Sequence, residues 1–235
     1  MAARIRAFPI VGHRGAPVLC PPGNTMESLQ CAVDAGADMV SVNVRVTRDE
    51  TLVIYHAALR LLDGVETLLR EHAFVRWQAY TADTDLPLIP LADVMAWAKR
   101  GRVGLMLDFQ EPGTEAALAR AVRQSGLPMD SVLVCGADRA SRQMIRSLDP
   151  RIPLSASLVP DAAPLVDASL LAALDTDAVT WPSRTLTPAI VKILRLREIA
   201  VYGWEVDLRE EMLRLRDTCR VDGIVTNLPD MLHAL

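Results

Sequence analysis

The segment Gly12-His13-Arg14-Gly15-Ala16-Pro17, followed by Asn24-Thr25 and later by His56, places two histidines and an arginine at the ends of apolar, strand-like runs. Almost no acid lies beside them. Chemistry at phosphorus asks for this set: one imidazole takes a proton, another returns one, and a guanidinium fork holds the phosphate oxygens. Phosphodiester cleavage commonly adds a divalent cation held by carboxylates. Asp108, Trp204, Asp207 and Asn227 also stand at the ends of strand-like runs. In a parallel barrel, side chains from the carboxyl ends of several strands meet at one mouth. The whole set is therefore predicted to face one ligand.

The elements that must position these residues alternate along the chain. Strands are predicted at Phe8–Gly12, Asp38–Val44, Leu52–Tyr55, Val103–Asp108, Ser131–Cys135, Ile152–Ser157, Ala178–Thr180, Ala200–Val206 and Gly223–Thr226. Helices are predicted at Thr25–Ala35, Leu91–Arg100, Thr114–Ser125, Arg139–Leu148, Ala163–Leu174, Pro188–Arg197 and Arg209–Cys219. Apolar Ala117, Leu118, Ala121 and Val122 recur at spacings of three and four, which marks one buried helix face. Thr187-Pro188 reads as a helix start, and Gly126 and Pro150 as stops. Strands separated by helices pair in parallel. The expected fold is α/β, a single TIM-like (β/α)8 barrel domain spanning residues 1–235. Nine strand candidates exceed the eight a barrel needs, which is explained if Asp38–Val44 and Leu52–Tyr55 join without a helix. Residues 57–90 read as an irregular excursion over one mouth.

Composition narrows the partners. The 235 residues are 51% hydrophobic, enough for a large core, and the formal net charge is −4, which argues against nucleic acid. No run of about 18 apolar residues spans a membrane. Met1 to Pro9 lacks the apolar stretch of a signal peptide. Cys20, Cys31, Cys135 and Cys219 have no metal-like spacing, so most are expected to be small buried hydrophobes in a reducing, cytoplasmic setting. Oligomeric state is left open.

Read in order, the motifs resemble the glycerophosphodiester phosphodiesterases over nearly the whole chain. The resemblance runs through Gly12–Pro17, Asn24-Thr25-Met26-Glu27-Ser28, Gly36-Ala37-Asp38, Thr47-Arg48-Asp49, Val53-Ile54-Tyr55-His56 and Ile89-Pro90-Leu91. Leu107-Asp108-Phe109-Gln110, Val201–Asp207 and Asp222–Pro229 complete it. It implies a barrel that hydrolyses glycerophosphodiesters to glycerol phosphate and an alcohol with bound calcium or magnesium. It implies that His13 and His56 are the acid/base pair, Arg14 a phosphate contact and Trp204 a wall for the organic part of the substrate.

The departures fall at the implied metal. The family's carboxylate positions read Gly23, Ser41, Asn43 and Asp108, its Glu-x-Lys reads Asp108-Phe109-Gln110, and the Asp after the second histidine is Ala57. Hard cations draw most of their affinity from anionic oxygens, so a site with one short carboxylate is expected to bind Ca²⁺ or Mg²⁺ weakly or not at all. Two readings remain. In the first, a divergent family member binds a phosphate-containing or otherwise anionic small molecule, with weak or absent metal-dependent hydrolysis. In the second, it is an active phosphodiesterase using His13, His56 and Arg14, metal-free or with an atypical metal site. Asp207 is an open candidate ligand for such a site, whereas Glu205 and Glu111 read as solvated surface charges. Trp181 and Arg184, after another strand, are further candidates for the mouth. His72 and His233 read as functionally silent, and Cys20 is not read as a nucleophile.

Overall fold

The computed structural model describes residues 8–82, 84, 86–136, 138–158, 166, 170 and 174–232. Eight parallel strands form a closed barrel: β1 (Ile10–Gly12), β2 (Met39–Val46), β3 (Gly104–Phe109), β4 (Val132–Gly136), β5 (Leu154–Ser157), β6 (Ala178–Pro182), β7 (Ala200–Trp204) and β8 (Gly223–Thr226). β1 closes it, pairing with β8 through Val11↔Val225 and Gly12↔Thr226 and with β2 through Gly12↔Val40. The ninth strand candidate, Leu52–Ile54, is the antiparallel neighbour of the end of β2, with Val44 opposite Ile54. A short turn joins it to β2 without a helix.

Strand side chains alternate between two faces, and in a barrel the two faces are helix layer and interior. In β2, Val40, Val42, Val44 and Val46 pack into the layer under the helices, while Met39 joins the interior cluster. Ser41 and Asn43 share the parity of Met39 and line the cavity above it. β3 repeats this, with Leu105, Leu107 and Phe109 outward and Met106 and Asp108 inward. Val11, Met106, Leu133, Cys135, Ala178 and Val225 fill the barrel's centre. β2 and β3 therefore become polar as their inward faces climb to the carboxyl end.

Helices α1 (Met26–Asp34), α3 (Leu91–Gly101), α4 (Glu115–Ser125), α5 (Arg139–Leu148), α6 (Pro188–Arg195) and α7 (Arg209–Leu213, continued by a π turn over Arg214–Cys219) surround the strands. Their starts follow local chemistry. Thr25 caps α1 by accepting from the Ser28 N–H, and Thr187 caps α6 ahead of Pro188. Gly126 ends α4 at φ 64°. The buried face of α4 is Glu115, Leu118, Ala119 and Val122, with Ala117 and Ala121 partly buried beside it. The helix expected at Ala163–Leu174 falls mainly outside the described residues, as does His233.

The excursion after His56 is more regular than its composition indicated. It holds a hairpin (Leu59–Leu62 with Val65–Leu68), helix α2 (Phe74–Thr81) and the two-residue strand Ile89–Pro90, which pairs with Leu52–Ile54. Val53, Leu62, Leu69, Trp77 and Leu88 give it a small core of its own. A second difference concerns the thiols. Cys20, in the β1–α1 loop, is disulfide-bonded to Cys31 on α1, and only Cys135 and Cys219 are free and buried. Two of the four cysteines are thus buried thiols, and the other two are paired.

The same loop is pressed onto α1 by glycine. Gly15 sits at φ +90°, and a Cβ there would lie 2.5 Å from the Ser28 carbonyl carbon. Gly15→Ala is predicted to cost on the order of 3 kcal/mol through left-handed strain and backbone collision. Urea unfolding measures this, and an unchanged midpoint would refute the close approach.

Candidate functional site

A cavity of about 230 Å³ opens at the carboxyl end of the barrel. Its upper lining is His13 from the end of β1, Ser41 and Asn43 from β2, Asp108 and Gln110 from β3, and Trp204 from β7. Met106, Cys135 and Val225 form an apolar base, with the hydroxyls of Ser157 and Thr180 on one wall. Trp204 donates its indole N–H to the Leu158 carbonyl at 3.2 Å, which holds the ring at the wall. Of the residues predicted to gather, His13, Asp108 and Trp204 line this cavity. His56 is exposed at the rim, its Nδ1 3.4 Å from Asn43 Oδ1.

His13 is held by a network spanning three strands. Its main-chain N–H donates to the Thr226 carbonyl at 2.7 Å. Its Nδ1 lies 2.9 Å from Glu205 Oε1 and 3.0 Å from Asn227 Oδ1. Asn227 donates from Nδ2 to Glu205 Oε1 at 2.5 Å and to Asp207 Oδ2 at 2.7 Å, and its main-chain N–H reaches Asp207 Oδ1. The hydrogen bond from His13, reinforced by that from Asn227 and the charges of His13 and Arg14, holds Glu205 at about 2 despite partial burial. Glu205 is therefore a partner of the predicted histidine, not an idle surface charge. Asp207 is engaged with Asn227 and the Thr226 hydroxyl.

The other side of the mouth holds the positions where the family resemblance implied a metal. Asn43 and Asp108 are register neighbours, and Asn43 Nδ2 donates to Asp108 Oδ2 at 2.7 Å. Gln110 Nε2 donates to the same oxygen at 2.7 Å. Asn43 Oδ1 accepts from Asn24 Nδ2 at 3.0 Å, and Ser41 Oγ accepts from the Arg14 main-chain N–H at 3.0 Å. Arg45, buried on the same face, donates to Gln110 Oε1 at 2.9 Å and to the His56 carbonyl at 2.7 Å. A side chain at Gly23 would meet Arg14, whose Cβ lies 2.8 Å from the Cβ position. Burial raises the Asp108 pKa, its hydrogen bonds from Asn43 and Gln110 opposing that shift.

This donor set does not fit a hard divalent cation. Calcium and magnesium need several oxygens, with carboxylates dominating the affinity. Here the single carboxylate is bonded to two amides, and the neighbouring oxygens accept N–H groups of the protein. Among the described residues, no group of three or more His, Cys, Asp or Glu is arranged to hold a metal.

Arginines from two segments act on His56. Desolvation lowers the His56 pKa below 6.5, and the charges of Arg14, Arg45 and His13 add to the effect. Arg14 Nε is buried without a hydrogen-bond partner among the described residues. Glu111, read from sequence as solvated, is buried and pairs with Arg45 and Arg70, tying the excursion to the barrel. Trp181 is fully buried in the helix layer with its indole on Thr185 and does not reach the cavity, while Arg184 is exposed outside it. Cys135 reaches the cavity base, where burial pushes its thiol pKa up and leaves it protonated.

Comparison with known proteins matches this architecture. The model of the glycerophosphoryl diester phosphodiesterase family matches residues 13–93, which include both histidines, Arg14, Ser41 and Asn43. A glycerophosphodiester phosphodiesterase of Bacillus altitudinis is 23% identical over 94% of this chain and 95% of its own. The glycerophosphodiester phosphodiesterase structure from Agrobacterium tumefaciens C58 superposes with a TM-score of 0.79 at 20% identity, covering 97% of this chain and 100% of that one. A phosphodiesterase from Oleispira antarctica, solved with the product sn-glycerol-3-phosphate, gives a TM-score of 0.82 at 19% identity, covering 96% and 95%. The chain is thus similar to the glycerophosphodiester phosphodiesterases in sequence over residues 13–93 and in fold over nearly its whole length.

The His56 environment gives a pH prediction. Its folded pKa is the lower one, so the unfolded chain takes the proton first and His56 withdraws stability as pH falls below 6.5. Ring NMR of the folded protein is expected to show a His56 midpoint below 6.5. A midpoint at or above that value would contradict the desolvated, cation-flanked placement.

Proposed function

We propose that the barrel mouth binds a small phosphoester, a glycerophosphodiester or its glycerol phosphate product, and that metal-dependent hydrolysis by this chain is weak or absent. The observation that carries this reading is the floor made of Asn24, Asn43, Asp108 and Gln110, where amide hydrogen bonds occupy the oxygens a cation needs. In the family, a bound divalent cation supplies charge neutralisation at the phosphate. Here that work falls to Arg14, whose buried Nε has no partner among the described residues. Trp204 offers an apolar wall to the alcohol portion, above a base of Met106 and Val225. The product held by the Oleispira antarctica relative supports glycerol phosphate as the ligand class.

A second reading is metal-free cleavage, favoured by the contact between His13 Nδ1 and Glu205. A histidine with one nitrogen fixed by a carboxylate offers the other to a reacting hydroxyl. His56, kept neutral by desolvation and by its cationic neighbours, is a second proton acceptor at the rim. Arginine stabilises charge on phosphorus oxygens, though less than a directly coordinated metal.

Hydrolysis of glycerophosphocholine, followed with Ca²⁺ or Mg²⁺ and with EDTA beside His13→Ala, separates the readings. The first predicts no turnover above the variant under any condition. Turnover that survives EDTA and is lost in His13→Ala, a fall of about 10²-fold or more, establishes the second. Turnover that requires the cation and His13 refutes the account of the floor.

A further inference from the structure

We propose that Glu205, acting with Asn227, is the positioning residue of His13: it fixes the ring so that Nδ1 carries the proton and Nε2 is the nitrogen offered to a ligand. The inference rests on the reading of His13 as the proton-transfer group of the mouth, and it assigns a role to a residue outside the histidine–arginine set.

The argument is a count of donors and acceptors. Asn227 Nδ2 lies at hydrogen-bond distance from two carboxylate oxygens, Glu205 Oε1 and Asp207 Oδ2. Ionised carboxylates only accept, so the amide must turn its NH₂ toward them and its Oδ1 toward His13. His13 Nδ1 then faces two acceptors, Glu205 Oε1 at 2.9 Å and Asn227 Oδ1 at 3.0 Å. Two acceptors around one ring nitrogen require that nitrogen to be the donor. In the neutral ring the lone pair is thereby left on Nε2.

The support extends below Glu205. Asp207 takes the Asn227 main-chain N–H at 2.8 Å and the Thr226 hydroxyl at 3.0 Å, which fixes Asn227 to β8. The Val206 N–H donates to the Val225 carbonyl, and the Ser183 hydroxyl donates to the Glu205 carbonyl at 3.2 Å. Both ends of the Glu205–His13 contact are therefore anchored to the barrel. The His13 main chain is fixed independently on Thr226, so the ring orientation is the freedom that Glu205 settles. Glu205 is held ionised by these same hydrogen bonds. When Nε2 accepts a proton from a hydroxyl, the ring becomes an imidazolium with Nδ1–H still donated to the carboxylate. Glu205 then lies against the new positive charge and takes no proton itself. A histidine following β1, backed by a carboxylate following β7, thus stands across the mouth from the amide floor.

The test is the tautomer of His13, read from long-range ¹H–¹⁵N correlations of histidine-labelled full-length protein at a pH where the ring is neutral. The wild type is expected to show a protonated Nδ1 and an unprotonated Nε2. Glu205→Ala, with its fold verified by circular dichroism, is expected to lose that exclusive signature and to show Nε2–H species. Glu205→Ser makes the same test where the alanine variant does not fold. A wild-type ring protonated on Nε2 overturns the proposal. So does a folded truncation variant that keeps Nδ1–H exclusively, since Asn227 alone then suffices. Neither readout depends on turnover, so an inactive wild type bears on the proposed function and leaves this test decisive.

Discussion

Everything at this mouth depends on the two-residue alternation of strands in a closed barrel. Because successive side chains point to opposite faces, the register that buries Val40, Val42 and Val44 under the helices also turns Ser41 and Asn43 inward. The same parity turns Asp108 inward beside Asn43, as their register pairing requires. Closure of β1 against both β2 and β8 then brings His13 next to Asn227 and Glu205, residues that stand 214 and 192 positions away. No local preference could make these contacts. A slip of one residue in any strand would carry its site residues into the helix layer and its valines into the mouth.

Given that frame, the site divides into two halves of different character. One half, from β7, β8 and β1, holds two carboxylates, Glu205 against His13 and Asp207 against Asn227. The other, from β2 and β3, has exchanged carboxylates for amides that hydrogen-bond each other and the one remaining acid. Buried amides need partners as much as ions do, and Asn24, Asn43 and Gln110 find theirs within this floor. Amide hydrogen bonds around a single carboxylate hold together without a cation, whereas clustered carboxylates would repel one another without one. The amides therefore act as a group, occupying one another's oxygens and that one acid. Arg14 and Arg45 stand close enough to lower the His56 pKa through their charges.

Much of this was legible in the sequence. The eight strands and the helices that surround them follow from apolar periodicity, whereas α2 in the excursion does not, and His13, Arg14 and His56 are recognisable as a group because each follows a predicted strand. The missed features share a physical cause: they depend on contacts distant in the chain. Glu205 sits in an exposed strand end and looks like any surface acid until Asn227 and His13 are placed against it. Glu111 becomes a buried partner of Arg45 and Arg70 only once the excursion folds over the barrel. Trp181 lies within β6 with outward parity, and its burial against the helices could be read only with the strand's extent and register known. Cys20 and Cys31 carry no spacing signature, and their pairing arises because the β1–α1 loop folds back along α1.

The central claim is that this mouth holds an anion through arginine and histidine without a hard cation beneath it. Calorimetric titration of Ca²⁺, and separately of inorganic phosphate, into EDTA-treated protein tests it most directly. The account predicts no stoichiometric Ca²⁺ binding, and saturable phosphate binding that is unchanged by Ca²⁺ and abolished in Arg14→Ala. Stoichiometric Ca²⁺ binding, or phosphate binding that appears only when Ca²⁺ is present, would contradict it.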